Sequence, residues 1–151
     1  QRSLVGSEMC IRDRLGVPVG APLLRMQRVR LIGGEPASIE TAHVNLSLCP
    51  SLTERDFECE SLYDVLLKEG GVRVEHGREH ISISRLNAEE AELLQQEEGT
   101  PVFYESSIEF DKDMRFVEHC KSVILPTKFR FADNGEENGM RSVAGEQWLK
   151  Q

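Results

Sequence analysis

The chain has 151 residues, 18 basic and 26 acidic, with a net charge of −8 and a pI near 5.1, so it offers no general basic surface for gripping a nucleic-acid backbone by itself. No apolar run approaches the roughly 20 residues that a bilayer-spanning helix requires, which argues against a membrane partner. Apart from Cys10, the cysteines Cys49, Cys59 and Cys120 form an odd set without CxxC spacing, which fits a reducing cytoplasm.

The stretch "LVGSEMCIRDR", Leu4 to Arg14, sustains neither a helical nor a strand period and begins no recognisable element. Its text is that of a translated adaptor: GTG GGC TCG GAG ATG TGT ATA AGA GAC AGN encodes Val5 to Asp13 and then Arg or Ser, and that DNA resembles a transposon-type sequencing-library adaptor. Residues 1–14 are therefore set aside as artefactual. The remaining ~137 residues (151 − 14) suit one domain with a genuine core, over 15–132.

"PLLRMQRVRLIGGEPASIETAHV" predicts a β-hairpin about a "GGEP" turn. Alternation in its first strand puts Met26, Arg28 and Arg30 on one face and Gln27, Val29 and Leu31 on the other. "SLYDVLLKEGG" changes to a helical period, with Ser61 as N-cap, Leu62, Val65, Leu66 and Glu69 on one face, and Gly70 as terminator. Alternation returns in "VRVEHGREHISISRL", with Ile81 and Ile83 on one side and His80, Ser82 and Ser84 on the other. "NAEEAELLQQEEG" then predicts an Asn-capped helix closed by Gly99. "PVFYESSIEF", "DKDM" and "RFVEHCKSVILPTKFRF" give two long strands around a polar turn and a short strand after Pro126. The pattern predicts an α+β fold, an antiparallel sheet with helices packed on it. The polar residues 133–151 read as a mostly disordered tail.

Arg28 and Arg30 on one strand face, Glu40 on the partner strand, and Ser61 and Tyr63 at a helix start describe an anion pocket. Guanidinium forks match carboxylate or phosphate, and a helix N-terminus adds N–H donors. Two arginines on a half-exposed strand equally suit a solvated face paired with nearby acids. His43, His76, His80 and Glu118 lack any compact ligand spacing, so no metal is expected. There is no GxSxG elbow, GxGxxG or GxxxxGK[ST], so nothing predicts a hydrolase, a nucleotide site or a cofactor. Cys120 reads as a small core filler.

In series, "RVR", "GGEPASIETAHVN", "ESLYDVLLKEGGV", "EEAELLQQEEGTPV" and "RFVEHCKSVILPTKFRF" resemble the UTRA domain, the effector-binding domain of GntR-type transcription regulators of the HutC subfamily. The resemblance spans Leu15 to about Phe131. It implies a six-stranded antiparallel sheet with flanking helices, related in fold to chorismate lyase, a cleft for a small effector, and a homodimer. It also implies ligand-binding roles for Arg28, Arg30, Glu40, Ser61, Tyr63 and Glu118, to which His80 is added as a candidate. Arg28 and Arg30 match the family's R-x-R, which holds the anionic end of the ligand in phosphosugar-responsive members. Where the family often has Tyr-Arg-x-Asp-Arg, this chain has Ile124, Leu125, Pro126, Thr127 and Lys128, and "DKDM" lacks the usual glycine. A carboxylic acid with an apolar body is therefore as suitable an effector as a phosphosugar. The DNA-reading winged helix-turn-helix of such regulators has no place in residues 1–14 and is expected to be missing from this chain. The expectation is thus a small-anion sensor and not an enzyme, with a lyase on the same fold as the alternative.

Overall fold

The computed structural model describes residues 2–5, 17, 20–54, 61–132 and 141–144. In chain order these form β1 (Arg2–Val5), β2 (Leu23–Ile32), β3 (Glu35–Asn45), a 3-10 turn (Pro50–Glu54), α1 (Leu62–Gly70), β4 (Val74–Arg85), α2 (Ala88–Leu94), β5 (Pro101–Asp111), β6 (Phe116–Ile124), β7 (Phe129–Ala132) and β8 (Arg141–Ala144). The expected α+β class with an antiparallel sheet is what forms. The sheet order is β1-β2-β3-β6-β5-β4, and β7 pairs with β8 in a separate two-stranded sheet.

Two expectations change at the chain ends. Arg2–Val5, in the segment expected to begin no element, pairs antiparallel with β2 in the register Arg2↔Met26 to Val5↔Leu23. The strand expected after Pro126 does form, but it joins Arg141–Ala144, within the tail expected to be mostly disordered, instead of the main sheet. Arg141 to Ala144 is a run of only four residues, too short to carry a visible period. Trp148 and residues 6–16 lie outside the described residues.

The chain divides into two compact units, and β2 to β6 each contribute residues to both. In the first unit (Gln1–Gln27, Thr41–His80, Ser106–Lys121), α1 buries Leu62, Val65 and Leu66. They cluster with Leu24 and Met26 of β2, Ala42 and Val44 of β3, Leu52 and Val117. Each Leu, Val or Met among them contributes about 1.5–3 kcal/mol of burial. The helix ends one residue later than the sequence suggests: Gly71, at φ 63°, takes the left-handed cap and its N–H donates to the Leu66 carbonyl. Gly70 is required for a different reason, because a Cβ there would stand 2.9 Å from the Leu48 carbonyl oxygen and 3.0 Å from the Cys49 Cβ. A smaller cluster joins Val17, Leu23 and Phe116 with Ile108 and Phe110.

The β5–β6 hairpin turns at Asp111–Arg115 without a glycine. Met114 occupies φ 60°, a conformation unusual for a side-chain-bearing residue. Asp111, 2% exposed, secures it: its Oδ1 accepts the Asp113 and Arg115 N–H groups at 2.9 Å each, and its Oδ2 accepts Arg115 Nε at 2.7 Å. Burial pushes this carboxyl up, but the bonds from Arg115 and Asp113 outweigh it and hold the group below the ordinary carboxylate range.

In the second unit (Arg28–Glu40, Ile81–Glu105, Ser122–Gln151), the core joins Ile39, Leu86, Ala91, Leu94, Val102, Val123 and Leu125. α2 begins with the expected Asn cap and extends it to a full capping box: Asn87 Oδ1 accepts the Glu90 N–H at 2.8 Å, and the Glu90 carboxylate accepts the Asn87 N–H at 3.0 Å. Its end differs from expectation. Gln95, at φ 55°, is the left-handed cap, while Gly99 serves the next turn, donating its N–H to Leu86 at 2.8 Å. The GGEP turn is as read, with Gly33 at φ 59° and Gly34 at φ 81°.

Candidate functional site

The seven residues singled out in the sequence fall into two groups, one in each unit. In the second unit, the period of two along β2 sets Arg28 and Arg30 on one face, and Glu40 of β3 lies between them. Arg28 Nη2 donates to Glu40 Oε2 at 3.2 Å, and Arg30 Nε donates to Glu40 Oε1 at 2.5 Å. The arginine side chains are 40% and 54% exposed, and that of Glu40 is 20% exposed. Exposed pairs of this kind contribute only about 0–1 kcal/mol to folding. Their chemical value is arrangement: two cations converge on one carboxylate, leaving one positive charge in excess beside open water. Planar guanidinium donors held this way are suited to a carboxylate or phosphate.

The first unit holds Ser61, Tyr63, His80 and Glu118. Ser61 occupies the N-cap of α1 with extended backbone, φ −75° and ψ 128°, but its side chain makes no capping hydrogen bond, contrary to the cap chemistry expected of it. One turn of helix presents Tyr63, whose hydroxyl donates to Glu118 Oε2 on β6 at 2.7 Å. Glu118 is buried. Desolvation and then the charge of Glu118 hold the Tyr63 phenol far above its ordinary range, so it stays protonated and remains a donor. His80 stands exposed on β4, and no hydrogen bond joins it to Tyr63 or Glu118.

Glu109 of β5, which the sequence did not single out, belongs to the same group. Its carboxylate lies against Gly77, where a Cβ would collide with it. Burial, then the charges of Glu118 and Glu79, push its carboxyl up from the ordinary value. The available signal was the alternation of "PVFYESSIEF", which sets Glu109 in a strand that the turn folds back on the one carrying Glu118. His43 of β3 and His119 of β6, far apart in the chain, have ring centroids 6.3 Å apart, and Ser106 Oγ is 3.1 Å from His119 Nε2. Among the described residues, no group of three or more His, Cys, Asp or Glu is placed to hold a metal ion.

Residues 3–130 match the family model of the UTRA domain. The HTH-type transcriptional repressor NagR of Bacillus subtilis (strain 168) is 26% identical over 117 residues, 78% of this chain and 48% of that protein. The crystal structure of the effector domain of PhnF from Mycobacterium smegmatis is similar with a TM-score of 0.75 at 27% identity, covering 83% of this chain and 77% of that one. A GntR-family transcriptional regulator from Enterococcus faecalis V583 shares the fold with a TM-score of 0.81 at 19% identity, over 89% of this chain and 96% of that one. The chain spans about half the length of the curated relatives it matches.

Proposed function

Because the chain belongs to the UTRA domain family, we propose that it is the effector-sensing and dimerisation domain of a cytoplasmic, GntR-type regulator of the HutC subfamily, on a chorismate-lyase-like fold. Its ligand is a small anionic metabolite, a phosphosugar or a carboxylate. The observation that carries this reading is the convergence of Arg28 and Arg30 on Glu40, with one cation in excess at an open surface. An incoming anion takes up guanidinium donors that Glu40 holds in its absence. Ser61, Tyr63, His80 and Glu118 are candidate polar contacts for ligand hydroxyls, with the Tyr63–Glu118 pair offering a donor-acceptor couple.

The relatives matched are named as repressors and not as enzymes, which supports regulation over lyase chemistry. No helix among the described residues is long and apolar enough to cross a membrane. Effector binding favours one arrangement of a homodimer and so changes how DNA-reading heads, contributed by chain outside these residues, meet two operator half-sites. A coupling of about 1–3 kcal/mol suffices. Calorimetry of the chain against phosphosugars, urocanate-like acids and short carboxylates tests the reading. Binding of one class that is lost in Arg28→Ala is expected; affinity indifferent to that change overturns the assigned grip.

A further inference from the structure

The charge around Arg28, Arg30 and Glu40 can be followed outward to the next strand of the second unit. Leu125 N–H donates to the Ala37 carbonyl at 3.0 Å, so these residues stand opposite one another where β3 runs beside β6. Counting in from that pair sets Ile124 opposite Ser38 and Ser122 opposite Glu40, all four on one side of the sheet. Ser38, Ile124 and Ser122 are buried and carry no charge. Glu35 and Lys128 of the same unit close on each other. Two guanidiniums and one carboxylate therefore leave a single net positive charge.

The open donors match that count. Glu40 takes one nitrogen from each arginine, Nη2 of Arg28 and Nε of Arg30. Among the described residues both terminal nitrogens of Arg30 are left, an end-on pair that fits the two oxygens of one carboxylate. Whichever donors an anion takes, Glu40 stays beside it, fixed on β3. One negative charge on the ligand balances the group, and a second meets Glu40 with no further cation to offset it. A phosphomonoester carries about −1.5 to −2 near neutral pH.

We propose that Glu40 is the specificity-determining residue of this site and sets it for a monoanionic carboxylate against a phosphomonoester dianion. The inference rests on the anion-sensing reading and narrows its ligand class.

Calorimetry of the full 151-residue chain with two matched series separates charge from shape: phenylacetate, phenyl sulfate and phenyl phosphate, then gluconate, glucose 6-sulfate and glucose 6-phosphate. In the series that binds, the singly charged members are expected to bind at least about tenfold tighter than the phosphate at about pH 7.5. At about pH 5.5, below the second phosphate ionisation near ~6, the phosphate is expected to gain affinity and close most of that gap. Glu40→Gln adds one net positive charge and is expected to move the phosphate-to-carboxylate affinity ratio about tenfold toward phosphate. Glu40→Asp keeps the charge and is expected to keep the parent's ratio, with circular dichroism unchanged in both variants. Phosphate bound as tightly as carboxylate by the parent, or a ratio unmoved in Glu40→Gln, overturns the role of Glu40 and leaves the anion site standing. Binding of no member of either series overturns both.

Discussion

Arg28, Glu40 and Arg30 in the second unit and Tyr63, Glu118 and Glu109 in the first are both clusters of three, yet they are opposite in charge, and only the second contains a buried side chain, Glu118. The first trio is a cation-rich group whose arginines stand 40% and 54% exposed. The second gathers two carboxylates about a phenol, with Glu118 only 6% exposed and Glu109 pushed up by burial and by its acidic neighbours. Exposed ion pairs are inexpensive to rearrange and contribute little to folding. Desolvated polar groups are costly when a partner is lost. The trio suited to seizing a ligand is thus the one that folding depends on least, and the acidic trio is the one tied to stability.

The sharpest separation of these roles comes from Arg28→Ala. Charge-assisted hydrogen bonds are each worth about 1.5–3 kcal/mol, so the affinity for the preferred anion is expected to fall about 100-fold in calorimetry. The same variant, by urea denaturation, is expected to lose no more than about 1 kcal/mol of stability. A large stability loss with binding intact would invert the comparison. Tyr63→Phe probes the other trio. It removes the donor to a buried carboxylate and is expected to cost about 1–2 kcal/mol of folding stability near neutral pH.

Glu109→Gln is expected to act with the opposite sign and the smallest size. A carboxyl whose folded value is raised favours folding fully below the unfolded value, and that contribution is lost as pH rises through the folded value. The variant should therefore be more stable than the parent at pH 7, by under ~1 kcal/mol given solvent screening, and the gain should vanish as pH falls below the ordinary carboxylate range. A denaturation series across pH checks it; a gain that persists in acid would remove the charge argument.

Legibility in the sequence tracked the distance over which each signal acts. The Arg28–Arg30–Glu40 group is readable because a period of two and one tight turn place all three. The Asn87 cap is readable because its partner N–H lies only three residues on, at Glu90. The bond from Tyr63 to Glu118 spans 55 positions and depends on how α1 seats on the sheet, which no local pattern encodes; the family resemblance supplied both residues but not their pairing. Glycine misled twice, since Gly71 and Gln95, not Gly70 and Gly99, take the left-handed caps. Close approach to Leu48 explains Gly70, a demand invisible in composition. Alternation on β4 set Ile81 and Ile83 on one side of the strand but carried no sign of whether that side is covered, and Ile83 stays exposed.

The β5–β6 hairpin is fastened by an ionised clasp in place of a flexible residue. The Asp111 carboxylate, accepting from Asp113 and Arg115, adds its hold on the left-handed turn at Met114 to the backbone bonds from Met114 N–H to the Asp111 carbonyl and from Asp111 N–H to the Arg115 carbonyl. Its depressed value means that this hold is complete above the unfolded carboxylate range and is released as acidity carries the group through its folded value. Acidification should therefore unbuckle this tip first, visible as faster amide exchange at Asp113 and Arg115, while a glycine-closed corner such as Gly33–Gly34 keeps its shape at any pH.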